Sequence, residues 1–142
     1  MAVKREPNEV LIRRFYDELW NEWRLSVADE ILAPDVRFRG TLGTSGSGID
    51  HFKAYFHQAR TAFPDLHAQI DELIATGEVV VARLTWSATH AGEIFGIPAT
   101  GRRWSYVGAA IFHLNAGKIK DAWVVGDTQE LWRAIGAVPE RR

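Results

Sequence analysis

Cysteine is absent from the 142 residues and methionine occurs once. A chain without cysteine has no disulfide framework and no thiolate chemistry. An excess of either charge is also missing. Seventeen Lys and Arg stand against eighteen Asp and Glu, for a formal net charge of −1, and like-signed runs such as the terminal Arg141-Arg142 never exceed a pair. That balance offers no electrostatic footprint for nucleic acid. No apolar run approaches the ~18 residues of a membrane span, and the opening MAVKREPNEVL lacks the apolar core of a secretion signal. The expectation is a cytoplasmic protein with neither nucleic acid nor membrane as partner.

Aromatic residues are plentiful by contrast. Six Trp, seven Phe and three Tyr make 11% of the chain. Most must fill a core, and some are available to wall a cavity for a bulky organic ligand. Leu11, Ile12, Phe15, Tyr16, Leu19, Trp20 and Trp23 fall at helical spacing after Pro7. Ser26 with Asp29-Glu30 has the form of a capping box for a short second helix ended by Pro34. Val36 to Gly40 alternates like a brief strand, and TLGTSGSG (41–48) reads as a flexible run. Ser47 is the capping candidate for a helix carrying Phe52, Phe56, Ala59 and Phe63, which Pro64-Asp65 stops.

From there the period changes to two. Strands are expected over Leu66–Ala75, Val79–His90, Trp104–Leu114 and Ile119–Val125, with turns at Thr76-Gly77-Glu78 and Asn115-Ala116-Gly117. In the second of these, Val80, Ala82, Leu84, Trp86, Ala88 and His90 form the apolar side. A short helix, about Thr128 to Ile135, closes the chain. Helices first and an antiparallel meander afterwards predict an α+β fold, one domain over 1–142, with helices packed on one face of a curved antiparallel sheet. Such a cone has an open end, and residues at strand ends line its floor and mouth.

Metal and nucleophile chemistry find little support. His51, His57, His67, His90 and His113 form no HxxxH or HxH pair. No G-x-S-x-G elbow occurs, and the glycines of 92–101 lack the strand–loop–helix setting of a phosphate loop. Acid–base chemistry is left. Asp127 follows the apolar run Ala122-Trp123-Val124-Val125 and Gly126, so it is either a helix cap or a base. Asp127-Thr128-Gln129-Glu130 has the D-x-x-E form of a helix start. A cap is stabilised as the anion by backbone N–H groups, whereas a base in an apolar pocket is not. His113 shares odd parity with Ala109, Ile111, Trp123 and Val125, and one concave face would present them with Asp127. For His113 and His90 the ordinary alternative is a half-buried histidine bonded to the backbone. Arg37 and Arg39 read as solvated, while the hydroxyls of Tyr16 and Tyr55 could reach into a cavity.

Three stretches carry a resemblance: FPDLHAQIDELIATGEVVVARLTWSATH (63–90), THAGEIFGIPATGRR (89–103) and LNAGKIKDAWVVGDTQELWRAIG (114–136). The chain resembles the SnoaL-like polyketide cyclases of the nuclear transport factor 2-like superfamily, to which ketosteroid isomerases and limonene epoxide hydrolases also belong. The resemblance implies an α+β cone with a cavity between the helices and the sheet's concave face, and homodimers formed through the outer face. It also implies ring closure by intramolecular aldol condensation on a hydrophobic carbonyl compound, with no metal or organic cofactor. The family's acid/base at the end of the last strand matches Asp127, and its histidine on the preceding strand matches His113. Phe15, Tyr16, Phe56, Phe63, Trp86, His90 and Trp123 are then the candidate lining. A departure is the apolar run of Val107, Ala109 and Ile111 beside His113. A steroid isomerase would find its tyrosine in Tyr16 but no second acid. An epoxide hydrolase would need Arg83, which lies on the opposite parity from Trp86. A binding module without turnover, with Asp127 only a cap, is the competing class.

Overall fold

The computed structural model describes residues 7–42 and 45–137; part of the Gly/Ser run and the Arg141-Arg142 pair lie outside them. Strands β1 (Leu32–Arg39), β2 (Ser45–Ser47), β3 (His67–Thr76), β4 (Val79–Thr89), β5 (Arg103–Asn115) and β6 (Lys118–Gly126) form one sheet in the order β2-β1-β6-β5-β4-β3. The meander β3 to β6 is antiparallel, as its short turns require. The sheet as a whole is mixed, because β1 runs parallel to β6. β1 pairs with β2 as an antiparallel hairpin, whereas the chain from β1 to β6 runs through β2, a helix and β3 to β5, so no hairpin dictates the direction of that second pairing. Bulges between Leu32 and Arg37, Ile70 and Glu72, and His113 and Leu114 add curvature.

Alternation along β4 and β5 sorts the two faces. Val80, Ala82, Leu84, Trp86 and Ala88 are buried, as are Trp104, Tyr106, Ala110, Phe112 and Leu114 on the neighbouring strand. Against this face lie helix α1 (Pro7–Arg14), α2 (Ser26–Ile31) and α3 (Ile49–Ala62), and α4 (Gln129–Ala134) follows β6. None of these helices is long and apolar enough to cross a membrane. The fold is α+β.

Helix α1 continues into a π-helical segment, Phe15–Trp20, whose end is marked by the Asn21 N–H donating to the Tyr16 carbonyl five residues back. The wider turn buries Phe15, Tyr16, Leu19 and Trp20 together. Asn21 then completes the free edge of β3, its amide donating to the Ala68 carbonyl at 2.9 Å and accepting from the Ala68 N–H at 2.7 Å. The expected serine caps do not form. Ser26 is the first helical residue of α2, behind Leu25, and Ser47 lies in β2, so Gly48 occupies the position before α3. In both cases the chain enters the helix from packed backbone, with no side-chain cap bond.

Where α3 gives way to β3, Asp65 accepts from the Thr89 N–H and hydroxyl, each at 2.7 Å, and from Arg103 at 2.8 Å. Partial burial pushes its carboxyl up, but those donors outweigh it and hold it below the usual carboxylate range. A depressed carboxyl contributes stability that is present above its unfolded-state pKa and lost as the pH falls through the folded one. Asp65→Asn should therefore cost about 1 kcal/mol at pH 7. The gap between variant and wild type should narrow as pH drops below about 4, measured by urea unfolding across that range.

Candidate functional site

Aromatic side chains from the π segment, α3, the turn after it and the sheet meet around a cavity and do not fill it. The π segment supplies Phe15, Tyr16 and Trp20, and α3 supplies Tyr55 and Ala59. Phe63 and Leu66 come from the turn after α3, and Trp86, Trp104, Tyr106 and Val124 from the sheet. Gly40, Thr41 and Leu42, just past β1, complete one wall. The cavity volume, reckoned to the centres of water-sized molecules, is about 50 Å³. That is room for a few waters, so the site is a narrow slot.

Stacking fixes its walls. The Trp104 and Tyr106 rings lie parallel within 13° at 5.1 Å, Trp86 leans on Tyr106 at 5.2 Å, and Phe63 meets Trp104 edge-on at 4.9 Å. No Asp, Glu, His, Lys or Arg belongs to the lining. Its polar side-chain groups are hydroxyls and the indoles of Trp20, Trp86 and Trp104. All three tyrosines of the chain are there. Tyr106 and Thr41 share a hydroxyl–hydroxyl hydrogen bond of 2.7 Å, and the Tyr55 phenol bonds to the Thr41–Leu42 segment. Two groups stay unpaired although buried: the Tyr16 hydroxyl and the Trp104 indole N–H.

Burial raises all three phenols above the ordinary tyrosine value. For Tyr16 the neighbouring phenols of Tyr55 and Tyr106 add to it, and for Tyr106 that of Tyr55 does so. For Tyr55, the bonds to Thr41 and Leu42 oppose the rise without cancelling it. The cavity thus presents neutral donors on apolar walls, a setting that favours a neutral acceptor oxygen over an ion. Among the described residues no group of three or more His, Asp and Glu gathers as a metal-ligand set.

The model of the SnoaL-like polyketide cyclase family matches residues 10–135. The chain belongs to that family. No curated protein matches the sequence at a significant level. Among solved structures, TsrD from Streptomyces laurentii is 30% identical with a TM-score of 0.82, over 96% of this chain and 100% of that one. AclR from Streptomyces galilaeus, described as a candidate hydroxylase, is 26% identical with a TM-score of 0.82, over 95% and 88% of the two chains. A candidate SnoaL-like polyketide cyclase from Jannaschia sp. CCS1 shares the fold at 22% identity, with a TM-score of 0.86 over 97% and 100%.

Within this SnoaL-like cone, Phe15, Tyr16, Phe63 and Trp86 are among the residues around the cavity. Phe56 is fully buried in the core behind it, against Trp20 at 5.2 Å. His90 is also fully buried but outside the lining. Its Nδ1 accepts from the Thr100 N–H at 3.3 Å and lies 3.0 Å from the Thr100 hydroxyl, so it ties the connector between β4 and β5. Trp123 is 43% exposed and lies under the Arg39 guanidinium, 5.6 Å from the ring centre.

His113, Ile111 and Trp123 do share a face, but it is the outer one. His113 is exposed and pairs across the strands with Asp121, whose carboxylate is 4.0 Å from its Nδ1 and 3.2 Å from Arg37. The alternation of β5 held the signal: its odd positions include Arg103, Ser105 and His113, its even ones Trp104, Tyr106 and Phe112. Asp127 is exposed, its N–H bonded to the Val107 carbonyl. It is not the cap of α4, where Thr128 holds that position without a side-chain cap bond. Tyr55 was legible from its helix face. Trp104, Thr41 and Tyr106 were not singled out, although the even-position stripe of β5 points to two of them.

Because the folded state holds its tyrosines neutral, their absorbance near 295 nm should stay flat as pH rises through 10, where free tyrosine ionises. A raised acid makes the fold's advantage complete below the unfolded pKa and lost above it. Stability should therefore fall beyond pH 10, with tyrosinate appearing only as the chain unfolds.

Proposed function

We propose that this SnoaL-like protein holds a hydrophobic carbonyl compound in the cone and closes a ring on it by aldol-type chemistry. The observation that carries this reading is the pair of unpaired donors, Tyr16 hydroxyl and Trp104 N–H, in a cavity without charge. Buried donors without partners are costly, and a ligand carbonyl oxygen satisfies them. A donor already aimed at that oxygen also stabilises the charge that develops on it as an enolate forms.

Asp127 supplies the proton acceptor. It is exposed and outside the lining, one residue beyond Gly126, at which a Cβ would meet Tyr106 and Thr41, and its carboxylate has no hydrogen-bond partner among the described residues. The carboxylate takes a proton alpha to the bound carbonyl. The enolate carbon attacks a second carbonyl of the same molecule, and the carboxylic acid returns its proton to the new alkoxide. Slot walls that fold the chain on itself contribute by proximity as much as the base does. His113, on the other face of the sheet, has no part in this scheme. AclR's description as a candidate hydroxylase marks oxygenation as the outcome to check among products.

A second reading, binding without turnover, is favoured by the absence of any titratable acid or base from the lining apart from the phenols. The two separate in one experiment. Asp127→Asn should lower turnover of a diketone test substrate by about 10²-fold or more while binding is retained. Tyr16→Phe and Trp104→Phe should each weaken binding of 1-tetralone several-fold, as a lost hydrogen bond of about 1 kcal/mol would. Binding without turnover in the wild type, unchanged in Asp127→Asn, would leave the module.

The outer face supports the homodimer. Ile74, Val81, Ile111 and Trp123 lie in one row across β3, β4, β5 and β6, and Ile74, Val107 and Trp123 are 54%, 59% and 43% exposed. Such a stripe is the kind of apolar patch that a second copy covers. Trp123→Glu should shift the mass measured by light scattering from dimer to monomer.

A further inference from the structure

The slot is narrow, yet two of its tyrosines lie where ordinary side chains would forbid them. A Cβ at Gly126 would fall 2.8 Å from Tyr106 Cε2, 3.0 Å from its Cδ2 and 3.4 Å from Thr41 Cγ2. A Cβ at Gly40 would fall 2.6 Å from Tyr55 Cε2, with Cζ and the hydroxyl closer still. Neither glycine is excused by a left-handed backbone, since neither has a positive φ. Every near neighbour of the missing Cβ is a side chain of the cavity wall. Gly108 differs: a Cβ there would strike the Val125 carbonyl and the Gly126 Cα before the Trp86 ring, at 2.8 Å, so its lack of a side chain serves the β5–β6 ladder first.

We infer that Gly40 and Gly126 are the size-selecting residues of the cavity, recesses into which Tyr55 and Tyr106 settle so that the slot they border stays open. The inference rests on the cavity being the binding site and adds what sets its width. A methyl group at either position lifts a phenol ring off its bed. At Gly126 the ring can move only by leaving its 5.1 Å stack with Trp104 and its contact with Trp86, and the open space beside it is the slot. The expected ligand is a small, flat, neutral carbonyl compound, in keeping with a cavity of about 50 Å³, with an upper size limit set by these two glycines. Tyr106 and Tyr55 need not touch the reacting atoms for this. Gly40 and Gly126 are positioning residues that act through them.

The test compares dissociation constants for cyclohexanone, 1-tetralone and anthrone, read by quenching of tryptophan fluorescence, in wild type and Gly126→Ala. Anthrone and 1-tetralone should weaken by about tenfold or more, the scale of a small steric change in an apolar pocket, while cyclohexanone should change far less. Gly126→Ala/Tyr106→Leu removes the displaced ring and should restore the larger ketones. Equal loss for all three ketones, or no recovery in the double variant, overturns the inference. If the wild type binds none of them, the carbonyl-binding reading fails and a ligand-free crystal structure of Gly126→Ala decides this one. Tyr106 displaced into the slot sustains it; Tyr106 in place with a shifted strand overturns it.

Discussion

Everything in this fold follows from packing rigid, flat rings against a sheet that curves. Phe15 sits at the centre, with Tyr16, Phe52 and Phe112 within 5.0, 5.9 and 5.4 Å and Trp20 at 6.4 Å. Edge-to-face contacts of this kind let rings from a helix and a strand interlock without the shape freedom of aliphatic chains. Phe52 and Phe112 lie fully in the core, while Phe15, Tyr16 and Trp20, from the π-helical segment, also border the slot.

The same packing leaves costs unrecovered. An unpaired buried donor sacrifices about 1–3 kcal/mol, and the slot has two, in Tyr16 and Trp104. A core selected only for stability would carry phenylalanine at both positions. Other groups are satisfied: Asn21 completes the β3 edge, Asp65 gathers three donors, and Thr41 shares a bond with the Tyr106 hydroxyl. Arg13 Nε, His51 Nε2 and His90 Nε2 are also buried without a partner; the two orphans of the slot differ in belonging to residues that line a cavity.

Much of this was legible before any coordinates. The even-position stripe of β4 declared its buried face down to His90, and the meander with its two short turns followed from period and glycine placement. What failed had physical reasons. A helix of aromatics at i, i+3 and i+4 looks the same whether it closes as α or widens to π. Nothing local to Val36–Gly40 says that it will pair in parallel with a strand some eighty residues later, because that pairing is decided by the sheet edge left open. Parity correctly grouped His113 with Ile111 and Trp123, but parity alone cannot say which face is concave. The polar members of that set, weighed against Trp104, Tyr106 and Phe112, would have settled it.

Asp127 shows how a residue can satisfy neither of two ordinary roles. A cap would spend its carboxylate on the first N–H groups of α4; instead Thr128 holds that position and the short helix starts without a side-chain bond. A base buried in the slot would have its charge starved of water; instead Asp127 is exposed. Its position is fixed by its backbone, through the bond from its N–H to Val107 on the neighbouring strand, while its side chain is left uncommitted. The proton-acceptor role proposed for Asp127 therefore rests on an exposed, uncommitted carboxylate just past the end of β6. The unpaired donors of Tyr16 and Trp104, by contrast, are buried, where a neutral hydrogen bond is strongest. On the proposed reading, donors within and an acceptor outside let one small cone avoid burying a charge.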